Sequence, residues 1–163
     1  MALVIPGLVT VDPAARRFAF AVFVDGELSA CGYARSPEEV SRHLRAGVGY
    51  TWVFETPRNY TAFAEAHKDL DRLRAVLKEI ERYARRRGEP VESLAPSAWK
   101  GNVPKEIHHK RVWAVLSAAE KMLLPDAPEG LGYADDVHDA VALGVTRLQR
   151  LGRGGRKRRG RRR

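Results

Sequence analysis

A single cysteine, Cys31, stands among the 163 residues, so the chain can form no internal disulfide and no cysteine-based zinc site. A fold held without disulfides suits a reducing compartment, and the cytoplasm is the expected location. Long apolar runs are missing too. The opening Met1-Ala2-Leu3-Val4-Ile5-Pro6 has no basic flank and is too short for a secretory core, and no later run reaches the roughly 20 residues needed to span a bilayer. No targeting signal and no membrane role are expected. Acid is absent from one end. From Gly152 onward there are seven arginines, one lysine and no Asp or Glu, which leaves +1 of the net charge of +9 for all the residues before. Residues 152–163 also have no apolar side chain to bury, so they should stay disordered until they meet a polyanion, nucleic acid first among them. A solubilising tail that contacts nothing is the plain alternative; in either case such a tail gives affinity rather than sequence specificity. With 44% hydrophobic residues and no internal repeat, residues 1–151 fit one domain large enough to bury a core.

What is present begins with strand signals. Leu8-Val9-Thr10-Val11 leads into Asp12, Phe18 to Val24 reaches the turn pair Asp25-Gly26, and Glu27 to Tyr33 resumes an extended pattern, which reads as three antiparallel strands. Ser36-Pro37-Glu38-Glu39 supplies an N-cap, a proline at the first helical position and acids in the first turn, so a short helix should run to about Ala46. Thr51-Trp52-Val53-Phe54-Glu55 suits a buried strand that ends at Glu55 before Pro57. Phe63, Ala66, Leu70, Leu73, Leu77, Ile80 and Ala84 alternate spacings of three and four, the stripe of a long helix that ends near Gly88. Val91 to Ala95 is a further strand. Pro104 should open a helix through about Leu124 with a stripe of Ile107, Val112, Val115, Ala119 and Met122. Asp135 to about Leu151 makes the last helix, with Val137, Val141, Val145 and Leu148 facing inward. The expected fold class is α/β, a mixed sheet flanked by helices.

Four acids stand where the chain leaves these elements: Asp12 and Glu55 end strands, and Asp136 and Asp139 sit three apart at the start of the last helix, so both can face one sheet edge. Carboxylates that meet in this way suit hard cations such as Mg2+. Phosphodiester hydrolysis needs a nucleophilic hydroxide and stabilised charge on the attacking and leaving oxygens, which two magnesium ions held about 4 Å apart supply. Taken singly, each acid also reads as an ordinary strand-end or first-turn residue. Asp135 reads as a helix cap.

The order and spacing of these motifs resemble the ribonuclease H-like fold and, within it, the RuvC-type Holliday-junction resolvases. Asp12 in Val9-Thr10-Val11-Asp12-Pro13 is similar to that family's first-strand aspartate, Glu55 in Val53-Phe54-Glu55 to its fourth-strand glutamate, and Asp136-Val137-His138-Asp139-Ala140 to its closing Asp-x-x-Asp-Ala signature. Asp12 is followed by Pro13-Ala14 where the family has a glycine. The stretch from Trp99 to Lys105 looks most like bacteriophage-encoded members. The resemblance implies a five-stranded mixed sheet and a catalytic, metal-binding set of Asp12, Glu55, Asp136 and Asp139. Asp12 would bridge two Mg2+ ions, with Mn2+ as a substitute. Glu55 and Asp139 would each help to hold one, and Asp136 would complete the cluster or position the water. It further implies a homodimer that acts on four-way DNA junctions and leaves 5′-phosphate ends.

DNA-binding residues implied in the same way are Lys100 and either Lys105 or Lys110, with Arg111 beside them and Tyr60 or Arg58 as the candidate wedge at the junction. The lysines read equally well as solvated charges. His108, His109 and His138 are expected to pack or face solvent rather than move protons, and Trp52, Trp99 and Trp113 to anchor core or loops. Two rival readings carry the same residues: another ribonuclease H-like nuclease acting on RNA precursors or on branched or flap DNA, and a non-catalytic nucleic-acid-binding module in which the basic tail does the work.

Overall fold

The computed structural model describes residues 6–13, 17–55, 64–95, 101–130 and 132–152. Arg58, Tyr60, Phe63, Trp99, Lys100 and the tail from Arg153 lie outside the described residues, as do the side chains of 64–69 at the start of the long helix.

Five strands form one sheet in the order β3-β2-β1-β4-β5. They are β1 Gly7–Asp12, β2 Phe18–Val24, β3 Glu27–Ala34, β4 Tyr50–Glu55 and β5 Val91–Leu94. The first three pair antiparallel through a meander, whereas β4 and β5 join β1 in parallel. The turn between β2 and β3 is tight because Asp25 and Gly26 take left-handed φ values of 52° and 83°, the geometry that matches strand twist in a two-residue hairpin. β2 is buried along its whole length, which accounts for the unbroken apolar run Phe18–Val24. A strand covered on both faces has no solvent side to alternate with.

Two cores lie on the two faces. One holds Val9, Val11, Phe18, Phe20, Val22 and Trp52 under α1 Pro37–Ser41 and α2 Ala64–Arg86, whose Val40, Ile80 and Ala84 are fully buried. The other holds Leu8, Ala19, Ala21, Phe23 and Val53 under α3 Lys105–Val115, α4 Ala118–Leu123 and α5 Asp135–Arg147. The strand residues divide between the cores by the two-residue alternation of a pleated sheet. Glu89, buried at the turn after α2, accepts bonds from the Tyr50 backbone at 2.7 Å and the Trp52 indole at 3.3 Å, which ties α2 to β4. No helix among the described residues is long and apolar enough to cross a membrane.

Helix ends depart from the sequence expectation in three places. α1 stops at Ser41, and residues to Val48 continue in tight turns, with His43, Leu44 and Val48 bonding three residues back. The single helix expected through Leu124 is two. Leu116 is extended (φ −74°, ψ 140°), and Ser117 caps α4 in a reciprocal box with Glu120, so the apolar stripe does not continue across the break. Val112 of the expected stripe is buried, but Ile107, Ala119 and Met122 are exposed, and His108, His109 and Leu116 face the core in their place. α5 ends at Arg147 rather than near Leu151, and its N-cap is Ala134, not Asp135.

Among the described residues α5 is the most buried helix. Val137, His138 and the whole run Ala140–Val145 are buried, and its close seat on the sheet depends on Gly144, where a Cβ would stand 2.1 Å from the Phe23 ring. Glu120 anchors the neighbouring layer. Burial alone would raise its carboxyl, but bonds from Arg150 and from the Leu28 and Ser117 amides hold it down at about 2. Gly144→Ala is therefore expected to destabilise the protein by about 1–3 kcal/mol or more through overpacking, measured by urea unfolding. Adding Phe23→Leu should recover part of the loss; full stability of Gly144→Ala alone would contradict this packing.

Candidate metal centre

The two elements that converge on the acids are β1 and α5. Thr10 points from β1 to the α5 side, and its buried hydroxyl donates to the Ala140 carbonyl at 2.6 Å. Asp12 is two residues beyond Thr10 on the same face, and Asp139 precedes Ala140. The bond therefore fixes the two acids' backbones relative to each other. Ligand oxygens of Asp12, Asp136 and Asp139 lie within 4.8 Å of one another, which meets the geometric requirement for sharing one small cation. Glu55 falls outside that group but ends the parallel neighbour β4, and its charge acts on Asp12. The positive end of the α5 dipole lies at the first turn, which holds Asp135 and Asp136, and favours anions there.

Without a cation this concentration of negative charge is costly. The Asp12 carboxyl is pushed up to about 8 by burial first and then by the charges of Asp139, Asp136 and Glu55, with Lys105 opposing. Asp139 goes the other way. Burial would raise it, but a hydrogen bond from His109 and the ammonium of Lys105 hold it below the usual carboxylate range. His109, almost fully buried, reaches Asp139 Oδ1 through Nε2 at 2.7 Å, and its Nδ1 meets the Tyr133 hydroxyl. A ring that donates Nε2–H to the carboxylate can accept from the Tyr133 hydroxyl at Nδ1. Lys105 Nζ sits 2.7 Å from Asp139 Oδ2 and also bonds Asp135. His138 bonds the Asp126 carbonyl at 2.7 Å, and burial keeps its ring below the usual histidine value.

Lys105, read from sequence as a phosphate contact, pairs here with the acids. Lys110 is exposed and paired with Glu129 at 2.9 Å, and Arg111 is exposed one residue on. Of the three histidines that sequence places near the acids, His109 is the one that bonds Asp139. A pattern existed: Lys105 and His109 are one turn apart on α3, Asp135 and Asp139 one turn apart on α5, and the two pairs face each other. The donors of the acidic group are all carboxylate oxygens, a set that matches Mg2+ or Mn2+ and suits soft metals poorly. The raised Asp12 carboxyl marks a place where positive charge is wanted.

No family model and no curated protein sequence matches the chain. Solved structures do. A Thermus thermophilus RuvC in complex with a Holliday junction substrate superposes over 86% of this chain and 90% of its own, with a TM-score of 0.61 and 18% sequence identity. A Thermus thermophilus RuvC structure covers 88% and 94%, with a TM-score of 0.58 and 19% identity. The likeness establishes the ribonuclease H-like fold with its mixed five-stranded sheet.

Because the folded Asp12 carboxyl titrates near 8 against an ordinary 3.8, it binds its proton more tightly folded than unfolded. Its contribution to stability is complete below the ordinary value and is lost as pH rises through about 8. Thermal unfolding in EDTA should register that loss, and Asp12→Asn should remove it. At pH 8, Mg2+ at about a hundredfold excess over Kd should raise the wild-type Tm by about 5 °C or more. An equal rise in Asp12→Asn would contradict the site.

Proposed function

We propose that the protein is a divalent-metal-dependent, structure-selective endonuclease that resolves four-way DNA junctions by hydrolysis and leaves 5′-phosphate ends. The observation that carries the reading is the meeting of Asp12, Asp136 and Asp139 within 4.8 Å, at the place where β1 ends beside β4, in a fold shared with a RuvC solved with a Holliday junction substrate. The oxygen-only donor set fits Mg2+, with Mn2+ able to replace it. Two such ions, when bound, stabilise charge on the attacking and leaving oxygens of a phosphodiester.

In this reading the chain's own residues divide the work. Asp12, central and half-buried, would be shared between two ions if both bind, with Glu55 and Asp139 each helping to hold one. Asp136, the exposed member, completes the set or orients the attacking water. His109 and Tyr133 hold the Asp139 carboxylate in one orientation, as outer partners of metal-binding carboxylates do. Lys105 balances Asp139 and lies close enough to the acids to contact a phosphate oxygen of a strand bound there. Lys110 and Arg111 lie on the exposed side of α3, and with Lys100, Arg58 and Tyr60 they make up the proposed DNA contacts, Tyr60 or Arg58 acting as the wedge. The Arg-rich tail adds sequence-independent affinity. A twofold homodimer would present two such sites to a substrate with its own approximate symmetry, and a protein of this kind works in the cytoplasm.

The test is gel-resolved cleavage of an end-labelled synthetic four-way junction beside matched linear duplex, flap DNA and RNA. Paired nicks confined to the junction, dependent on Mg2+ and reduced at least about a hundredfold in Glu55→Gln, are expected. Cutting of RNA or flap DNA in place of the junction would overturn the substrate assignment and keep the nuclease. Binding without any cutting would favour a non-catalytic nucleic-acid-binding module.

A further inference from the structure

The sheet row that contains Asp12 continues to a second feature with no part in holding a metal. Asp12 pairs with Ala19 on β2, and Ala19 pairs with Tyr33 on β3. Residues opposite each other in antiparallel strands share a face, so Tyr33 stands on the α5 side, where it packs against the same core as α5. Two strand spacings put its backbone about 10 Å from that of Asp12. Its hydroxyl is raised by burial and then by the negative charge of Asp136, with Arg17 opposing and Asp12 and Asp135 adding. The ring thus lies in the field of the acids, nearest in effect to the outermost one.

Over this ring lies Arg17, its guanidinium carbon 3.8 Å from the ring centroid. Arg17 is exposed, and no carboxylate pairs with it among the described residues, whereas Lys105, on α3, pairs with two. Stacking uses the face of a guanidinium and leaves its N–H edge free, the edge that grips phosphate oxygens in a fork. A nucleic-acid strand with one phosphate at the carboxylates carries further phosphates past them. Beyond the reach of the cations those phosphates meet only acids unless a positive group stands alongside.

We propose that Arg17, held on the Tyr33 ring, is a phosphate-binding subsite for the DNA strand that enters the acidic site from the β3 edge. This rests on the endonuclease reading. It adds a contact on the first hairpin to those proposed on α3 and after β4, so the strand is gripped on both sides of the cut.

The test uses the full chain carrying Glu55→Gln, with fluorescence anisotropy of a labelled four-way junction in Mg2+ from about 50 to 300 mM KCl. Arg17→Ala should weaken binding and make the slope of log K against log salt shallower by about one. Arg17→Lys should keep the slope, and Tyr33→Leu should reproduce part of the loss while circular dichroism shows the fold retained at the assay temperature. Methylphosphonates placed singly beside the cut should include one that weakens binding by the parent protein and has no further effect on Arg17→Ala. An unchanged slope, or no phosphate whose neutralisation is masked by Arg17→Ala, overturns the subsite. Cleavage by the Glu55-containing protein is scored separately. A junction that is cut while the slope stays unchanged removes the subsite alone, and a shallower slope with no cutting removes the endonuclease reading alone.

Discussion

The seat of α5 on β1 and β2 is the constraint on which the rest of the molecule depends. One buried hydrogen bond, Thr10 to the Ala140 carbonyl at 2.6 Å, joins strand to helix, and Gly144 lets the helix approach Phe23 where any Cβ would collide. Around these contacts Val137, Val141 and Val145 fill one core. Because packed interiors have little room to shift, the helix has one position, and that position brings Asp136 and Asp139 to the end of β1. The chemistry is thus set by apolar packing far more than by attraction among the acids, which repel one another.

That repulsion is the second element of the account. Packing forces like charges together, and the chain meets the cost unevenly. Asp139 is relieved by Lys105 and His109 and stays ionised, whereas Asp12, half-buried and facing three other carboxylates, holds its proton to about 8. A protein that needed only stability would have replaced Asp12 with a neutral side chain. An unrelieved carboxylate beside a relieved one marks a place where added positive charge would be favourable. Lys105 supplies positive charge beside Asp139, and Tyr133 and His109 keep Asp139 from turning away.

Much of this was legible in the sequence where local rules decide. The Asp25-Gly26 turn, the buried run of β2, the exit of β4 at Glu55 and the pair Asp136/Asp139 three apart all follow from pattern, because each reflects a turn geometry or a face covered by its neighbours. The break between α3 and α4 did not emerge. An apolar stripe from Ile107 to Met122 masks the capping signal Ser117-Ala118-Ala119-Glu120, and the extended Leu116 depends on packing from elsewhere. The partners of His109 were only partly legible, for a different reason. Its burial is compensated by Asp139 and Tyr133, 30 and 24 residues away, and periodicity carries no information on partners across helices. The stacking of Arg17 on Tyr33 is likewise a matter of strand register, visible only when β2 and β3 are paired.

Anomalous scattering from crystals of the protein soaked in Mn2+ tests the central claim most directly, because it locates the cations without any assumption about substrate. Two peaks about 4 Å apart between Asp12 and its neighbours Glu55, Asp136 and Asp139, with Lys105 displaced from Asp139, are the expected result. Saturating Mn2+ with no peak at Asp12, and Lys105 still bonded to Asp139, would contradict it.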